Sequence, residues 1–174
     1  MIYFNGDGLL IRSMAYTDTE AFVQGFASQG WNKPAEQFQK YYKEQDDGIR
    51  KVIVAEYKGC TAGYVTLLPS AAVGPFADKG YPEIVDFNVL IQFQKRGIGN
   101  KLMDVTEQLA KEASDYVTLA VGMHIGYGTA QRMYVKRGYI PDGSGVWYKD
   151  KPLEPYGTCE NDDELILFFV KELT

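Results

Sequence analysis

The sequence predicts an α/β fold with a mixed sheet, and three observations carry that reading. Apolar strand-like runs and helix-period runs interleave along the whole chain. One hydrophobic run, Glu83–Leu90, passes through Gln94-Lys95-Arg96-Gly97-Ile98-Gly99 into a helical stripe made by Ile98, Leu102, Val105 and Leu109. No internal repeat, low-complexity tract or linker interrupts the 174 residues, so 1–174 reads as a single domain with room for a sizeable core.

Taken in order, Leu9–Met14 reads as the first strand. Thr17-Asp18-Thr19-Glu20 has the form of a capping box and predicts a helix that turns Phe22, Val23 and Phe26 inward. Pro34 opens a second helix bearing Phe38, Tyr41 and Tyr42, and Asp46-Asp47-Gly48 ends it. Lys51–Tyr57 and Thr61–Leu68 flank Lys58-Gly59, a hairpin signal. Ser70–Gly80, rich in Gly, Pro and Ala, is a loop. The central strand Glu83–Leu90 follows, with Asp86 and Asn88 alternating onto one side, and then the helix from Ile98.

Tyr116–Val121 is a further strand. Gly126–Gly128 leads into a last helix with Ala130, Met133, Tyr134 and Arg137 on one face, stopped by Gly138 and Pro141. Val146–Tyr148 and Leu165–Val170 are the final strands, separated by a polar, acidic segment. The resulting order is β-α-α-β-β-β-α-β-α-β-β, about seven strands and about four helices.

Composition narrows the partners. A net charge of −5 and an isoelectric point near 4.9 argue against a nucleic-acid partner, which needs a basic face, and leave room for a cationic substrate. No apolar run reaches the roughly 20 residues of a membrane span, and the N-terminus lacks a basic-then-apolar signal pattern. Cys60 and Cys159 form no metal or redox motif. A cytoplasmic setting is expected, with no metal and no membrane.

The glycine turn is where the chemistry concentrates. Gly97 and Gly99 permit positive-φ turns that point successive N–H groups inward, and the helix that follows adds its dipole and unpaired first-turn amides. That arrangement suits the phosphates of a cofactor. A Walker loop would need Gly-Lys-Ser/Thr, which Gly99-Asn100-Lys101 does not supply. A dinucleotide fingerprint would need glycine or alanine where Leu102 stands. The pattern Q/R-x-x-G-x-G/A does fit. Here the sequence resembles the GNAT superfamily of acyl-CoA-dependent N-acetyltransferases.

Ala130-Gln131-Arg132-Met133-Tyr134-Val135-Lys136-Arg137-Gly138-Tyr139 resembles a second segment of that family, A-x-x-L/M-Y-x-K-x-G-F/Y. The order of elements matches over nearly the whole chain, which implies a GNAT fold with a mixed, mostly antiparallel sheet. The resemblance implies acetyl-CoA as acyl donor, its pyrophosphate held by Gln94, Lys95, Arg96, Gly97, Ile98, Gly99 and Asn100. Side-chain contacts from Lys95, Arg96 and Lys101 stand against a solvated-surface reading of the same cations. The family also carries a bulge near the position of Val89, whose free amides, over Val89, Leu90 and Ile91, meet acetyl and pantetheine groups. Many members have proline where this chain has Ile91.

Tyr134 matches the tyrosine that resembling enzymes use as general acid toward the departing thiolate. A phenol near pKa 10 stays protonated at neutral pH, and donation to a thiolate of about 8.5 costs only about 2 kcal/mol. The alternative is a core tyrosine on an apolar stripe. Asp86 and Glu83 are the candidates for the base that deprotonates the amine, or for a substrate anchor; a structural hydrogen bond is the competing role. Tyr127 stands where the family often has a cofactor-binding asparagine. His124, the only histidine, has a suitable pKa for a base but lies in a loop. Glu154–Glu164 is either a rim of the acceptor site or a solvated loop.

These readings converge on an N-acetyltransferase that moves acetyl from acetyl-CoA to a primary amine of a small molecule by direct, ternary-complex transfer, as a monomer or homodimer. Neither cysteine has an activating neighbour in sequence for a covalent route. A peptide or protein amine is the alternative acceptor, and a non-catalytic acyl-CoA-binding sensor the alternative class.

Overall fold

A computed structural model describes all residues, Met1–Thr174. The chain divides into two compact units, Met1–Leu68 with Val85–Leu109, and Pro69–Ile84 with Ala110–Thr174. The first contains β1 (Ile2–Gly6), β2 (Leu9–Ser13), α1 (Asp18–Ser28), α2 (Ala35–Asp46), β3 (Lys51–Tyr57) and β4 (Cys60–Leu68). Most of β5 (Glu83–Val89) and of α3 (Ile98–Lys111) also belongs to it. Strands run in the order β1-β2-β3-β4-β5, with antiparallel pairing from β1 through β4.

Two tight hairpins set these registers. Asp7 and Gly8 have φ of +53° and +75°, and Lys58 and Gly59 of +50° and +81°, as a two-residue turn between right-twisted strands requires. The Asp7-Gly8 signal is present in the sequence, but the half-exposed Ile2–Gly6 lacks the buried alternation that marks a strand. That is one of two strands added to the seven expected.

The core of this unit is aromatic. Phe22, Phe26, Phe38 and Tyr64 are fully buried. Phe22 stacks on Phe38 at 5.2 Å between ring centroids and meets Tyr64 edge-on at 4.9 Å. Val23 packs partly buried against the same cluster. Thr17 does not cap α1: its backbone is already helical and its side chain makes no capping bond. Asp18 does the work instead, its Oδ2 accepting the Ala15 N–H at 2.7 Å while the carboxylate pairs with Arg12.

Gly63 in β4 allows a close approach of β5. A Cβ built there would lie 2.6 Å from the Asn88 carbonyl oxygen. Gly63→Ala should therefore cost about 1–3 kcal/mol, read as a lower urea midpoint at unchanged m-value.

The second unit begins with Glu83 and Ile84 of β5, which pair in parallel with Thr118 and Leu119 of β6 (Tyr116–Gly122). Strand order continues β6-β9-β7-β8, with β7 at Ile140–Tyr148, β8 at Lys151–Pro152 and β9 at Leu165–Glu172. All of those later pairings are antiparallel. Helix α4 (Gly128–Lys136) stands between β6 and β7 in sequence, and Gly138 at φ +88° ends it. Ala71, Phe76 and Phe168 form the buried centre, with Tyr81 and Trp147 against them.

The sheet is therefore mixed and mostly antiparallel, with nine strands rather than about seven, and four helices. The second extra strand, β8, follows a turn at Lys149-Asp150 with φ of +50° and +61°. No glycine or asparagine marks that turn, which is why the sequence does not announce it. No helix is long and apolar enough to cross a membrane.

Candidate active site

Beyond β5 the chain makes one 3₁₀ turn, Ile91–Phe93, and then runs exposed through Gln94, Lys95 and Arg96 into α3. Lys95 and Gly97 take φ of +60° and +79°. The Lys101 N–H donates to the Gly97 carbonyl at 3.1 Å, the first bond of the helix. The amides of Ile98 and Gly99 thus precede any intrahelical partner, at the positive end of the dipole. The geometry is that of an anion cradle.

The side chains around the cradle are already employed. Gln94 folds back, its Nε2 donating to the Val89 carbonyl at 2.9 Å, and so braces the loop. The Arg96 guanidinium lies 5.6 Å from the Tyr57 ring centre. Lys101 Nζ lies 4.4 Å from the Phe4 ring centre and 3.7 Å from an Asp104 carboxylate oxygen. Lys95 is exposed.

Two of the three amides expected to be free just before the turn, those of Leu90 and Ile91, are engaged. The Leu90 N–H donates to the Ala62 carbonyl at 2.9 Å, and the Ile91 N–H to Gln29 Oε1 at 2.9 Å. The irregularity that the backbone of β5 shows lies earlier than Val89, at Asp86, whose φ is +47°. There Thr66 Oγ1 donates to the Val85 carbonyl at 2.7 Å.

Asp86 is the centre of a polar cluster. Its Oδ2 accepts from Tyr64 at 2.7 Å, Gln37 at 2.7 Å and Tyr41 at 2.9 Å. Its Oδ1 accepts from Asn88 at 2.8 Å and Lys33 Nζ at 3.0 Å. Burial, and then the negative charge of Asp86, push the Tyr41 phenol up to about 12 and Tyr64 beyond its ordinary range. Five donors on its two oxygens thus engage the Asp86 carboxylate with the surrounding side chains. Asp86→Ala removes the anion that Lys33, Tyr41 and Tyr64 all face, and chemical denaturation should show a loss of about 3 kcal/mol.

Glu83 differs in every respect. It lies at the start of β5 in the second unit, 7% exposed. No cation or donor offsets its burial, and desolvation alone pushes its carboxyl up to about 7. Tyr134 is the buried residue of α4, its ring 5.7 Å from that of Tyr139 and tilted 61° to it. Burial raises its phenol above the ordinary value.

His124 and Tyr127 are occupied structurally. His124 Nδ1 accepts the Gly126 N–H at 3.0 Å, which places the ring proton on Nε2, 2.9 Å from Asp163 Oδ1. Its one lone pair is thereby used. Tyr127 donates to the same Asp163 oxygen at 2.9 Å, and its ring fills the space beside Gly122, where a Cβ would come within 2.3 Å. Most of Glu154–Glu164 is exposed. What sequence reading missed is the company of Asp86: Lys33 stands in an irregular segment, 53 residues away in the chain, where no local pattern announces a partner.

Comparison with known proteins gives this geometry its family. The model described as the acetyltransferase (GNAT) family matches residues 15–139. The chain belongs to that family and is an acyl-CoA-dependent N-acetyltransferase with acetyl-CoA as donor. The matched span contains Glu83, Asp86, the glycine turn and Tyr134. A comparison with curated proteins finds no match.

Among solved structures, yncA from Salmonella typhimurium, determined with its cofactor acetyl-CoA, is similar at TM-score 0.69 and 16% identity, over 97% of this chain and 95% of that one. The Salmonella typhimurium acetyl transferase that modifies the N-terminal serine of ribosomal protein L7/L12 is similar at TM-score 0.71 and 10% identity, over 100% of both chains. Ribosomal-protein-alanine N-acetyltransferase from Brucella melitensis gives 0.66 and 19%, over 94% and 99%. At these identities the likeness is one of fold.

Proposed function

We propose that this acetyltransferase moves acetyl directly onto a primary amine of a small molecule, with donor and acceptor bound together. The observation that carries the proposal is Glu83, a buried, uncompensated carboxyl whose affinity for a proton is poised near neutrality. Burial of such a group costs stability, and a base that must take a proton at pH 7 is the use that offsets the cost. A sensor that only binds acyl-CoA has no need of it.

In this reading the amides at Ile98 and Gly99 hold the donor's phosphates, with Lys95, Arg96 and Asn100 around them and Gln94 bracing the loop. Glu83 removes a proton from the acceptor ammonium, which frees the nitrogen lone pair. The amine nitrogen bonds to the thioester carbonyl carbon. With the Leu90 and Ile91 amides engaged, the Val89 N–H is the one of the three assigned by the resemblance that is left to meet the oxygen as it gains charge. As the carbon–sulfur bond breaks, Tyr134 gives its proton to the thiolate. The nitrogen sheds a second proton as the amide forms; that proton restores the Tyr134 phenol, the one held by Glu83 passes to solvent, and each turnover releases one proton beside the amide and the free thiol. Cys60 and Cys159 are both exposed free thiols, and neither has an activating partner of the kind that an acetyl-enzyme needs.

The likeness to the ribosomal-protein acetyltransferases above favours a second acceptor, a protein N-terminus. Thiol release from acetyl-CoA separates the two, assayed with polyamines, amino acids and aminoglycosides on one side and free-N-terminus peptides on the other. Turnover on small amines is expected. Turnover confined to peptides rejects the small-molecule acceptor. In the absence of any amine, the intact mass of the protein should not change on incubation with acetyl-CoA; a gain of one acetyl group would reject direct transfer.

A further inference from the structure

The cluster around Asp86 has the composition of an ammonium receptor, and it already contains an ammonium. Lys33 Nζ donates to Tyr64 Oη at 2.7 Å and to Asp86 Oδ1 at 3.0 Å. The same nitrogen lies 5.1 Å from the Phe26 ring centre and 5.4 Å from that of Tyr64. An anion and a phenol oxygen as hydrogen-bond partners, with the Phe26 ring beside them, are groups by which a protein recognises a compact alkylammonium. Two of the three ammonium protons are thereby used, and the group is neither fully dehydrated nor free.

Three further features set this apart from an ordinary buried ion pair. Asp86 holds its place with φ at +47° in a strand, a conformation that is strained for a non-glycine residue and persists only where the surroundings enforce it. The site reaches solvent, since the Lys33 and Asp86 side chains are 20% and 17% exposed. Lys33 itself stands outside both helices, in the irregular stretch 31–34 that follows Gly30 at φ +81°. Withdrawal of Lys33 therefore breaks no helical hydrogen bond. Asp86 and Tyr64, by contrast, are fixed on strands and by Gln37, Tyr41 and Asn88.

We infer that Phe26, Tyr64 and Asp86 form a subsite that recognises an ammonium of the acceptor other than the amine that is acetylated, and that Lys33 is its resident occupant, displaced when the acceptor enters. This rests on the amine-acetyltransferase reading above. It assigns the acceptor class further: an amine that carries a second, primary alkylammonium on an unbranched chain, slim enough to follow the course of a lysine side chain. The stretch 31–34 then sets an apparent affinity, because every acceptor competes with a tethered ammonium at an effective concentration of order millimolar.

The test uses n-butylammonium chloride as the probe, with sodium chloride and n-butanol as controls, and reads melting temperature without acetyl-CoA. Lys33→Ala and Lys33→Gln empty the site of its cation, and the glutamine keeps a donor for Asp86 should the alanine protein fold poorly. Either variant should be stabilised saturably by about 2–5 °C at tens of millimolar butylammonium, while the wild-type protein shifts by less than half as much. Adding Asp86→Asn to Lys33→Gln should abolish the response. In turnover, Lys33→Gln should lower KM for the acceptor several-fold, whereas a merely structural lysine would leave KM unchanged or raised. Equal response of wild type and variants, or none in either variant, overturns the subsite even if the enzyme acetylates amines. Butylammonium-specific stabilisation with no turnover of any amine overturns the acceptor role through the reading it rests on, and leaves the receptor itself standing.

Discussion

Glu83→Gln lowers kcat/KM for the amine by about 10²–10⁴-fold, the usual contribution of a positioned general base. The wild-type profile rises with pH through an inflection near 7, where burial has placed the carboxyl. The variant lacks that inflection. Glutamine keeps the shape and polarity of the side chain but has no proton to exchange, so loss of activity with retained acetyl-CoA affinity identifies base chemistry. A profile with its inflection intact in the variant removes Glu83 from the reaction.

The same substitution has a stability signature of defined sign. The folded carboxyl titrates near 7 against 4.5 for the free group, so the folded protein binds this proton more tightly than the unfolded chain. Below 4.5 both states are protonated and the group costs nothing. As pH rises from 4.5 to 7 the unfolded chain ionises first, and the wild-type protein progressively loses stability. Above pH 7 the loss is complete, at about 3 kcal/mol. Glu83→Gln does not titrate, so its advantage over wild type grows by that amount between about pH 4.5 and 8. Urea midpoints at the two ends measure it, and parallel curves contradict the assignment.

Tyr134→Phe lowers kcat by about 10²–10³-fold and leaves acetyl-CoA affinity unchanged. The ring, which fills its buried place beside Tyr139, is kept, so only the proton donor is lost. Burial raises this phenol above its ordinary value, which keeps it protonated through the whole range in which the enzyme can be assayed. No falling alkaline limb should arise from it. The defect should also shrink as the leaving thiol becomes more acidic, because a good leaving group needs less help. Equal turnover of variant and wild type excludes Tyr134 as the acid.

Much of this was legible in the sequence because it is local. The glycine turn, the helix stripe behind it and both stretches that resemble the family are contiguous, and the structure forms a strand, a turn and a helix there. Lys58-Gly59 and Gly48 likewise act where their φ values require. What stayed hidden depends on contacts between distant residues. Thr17–Glu20 imitates a capping box, yet Arg12 and the Ala15 amide recruit Asp18 and leave Thr17 uncapped. Leu90 and Ile91 look like free strand-end amides until Ala62 and Gln29 claim them. Glu83 and Asp86 are three residues apart on one strand and alike in sequence. Only their surroundings, empty for one and crowded with donors for the other, separate a titrating carboxyl from a fixed anion.

The central claim is that the turn Gln94–Asn100 holds the acyl donor, and the most direct measurement is the melting temperature with and without saturating acetyl-CoA, set beside ATP and NAD. At about 100 times the dissociation constant, binding adds about 2.7 kcal/mol, or about 5–10 °C for a chain of this size. The prediction is a shift of that magnitude with acetyl-CoA alone, diminished in Gly97→Ala, where a residue must hold φ +79° against its side chain. No shift in the wild-type protein at high acetyl-CoA, or an equal shift in Gly97→Ala, contradicts the account.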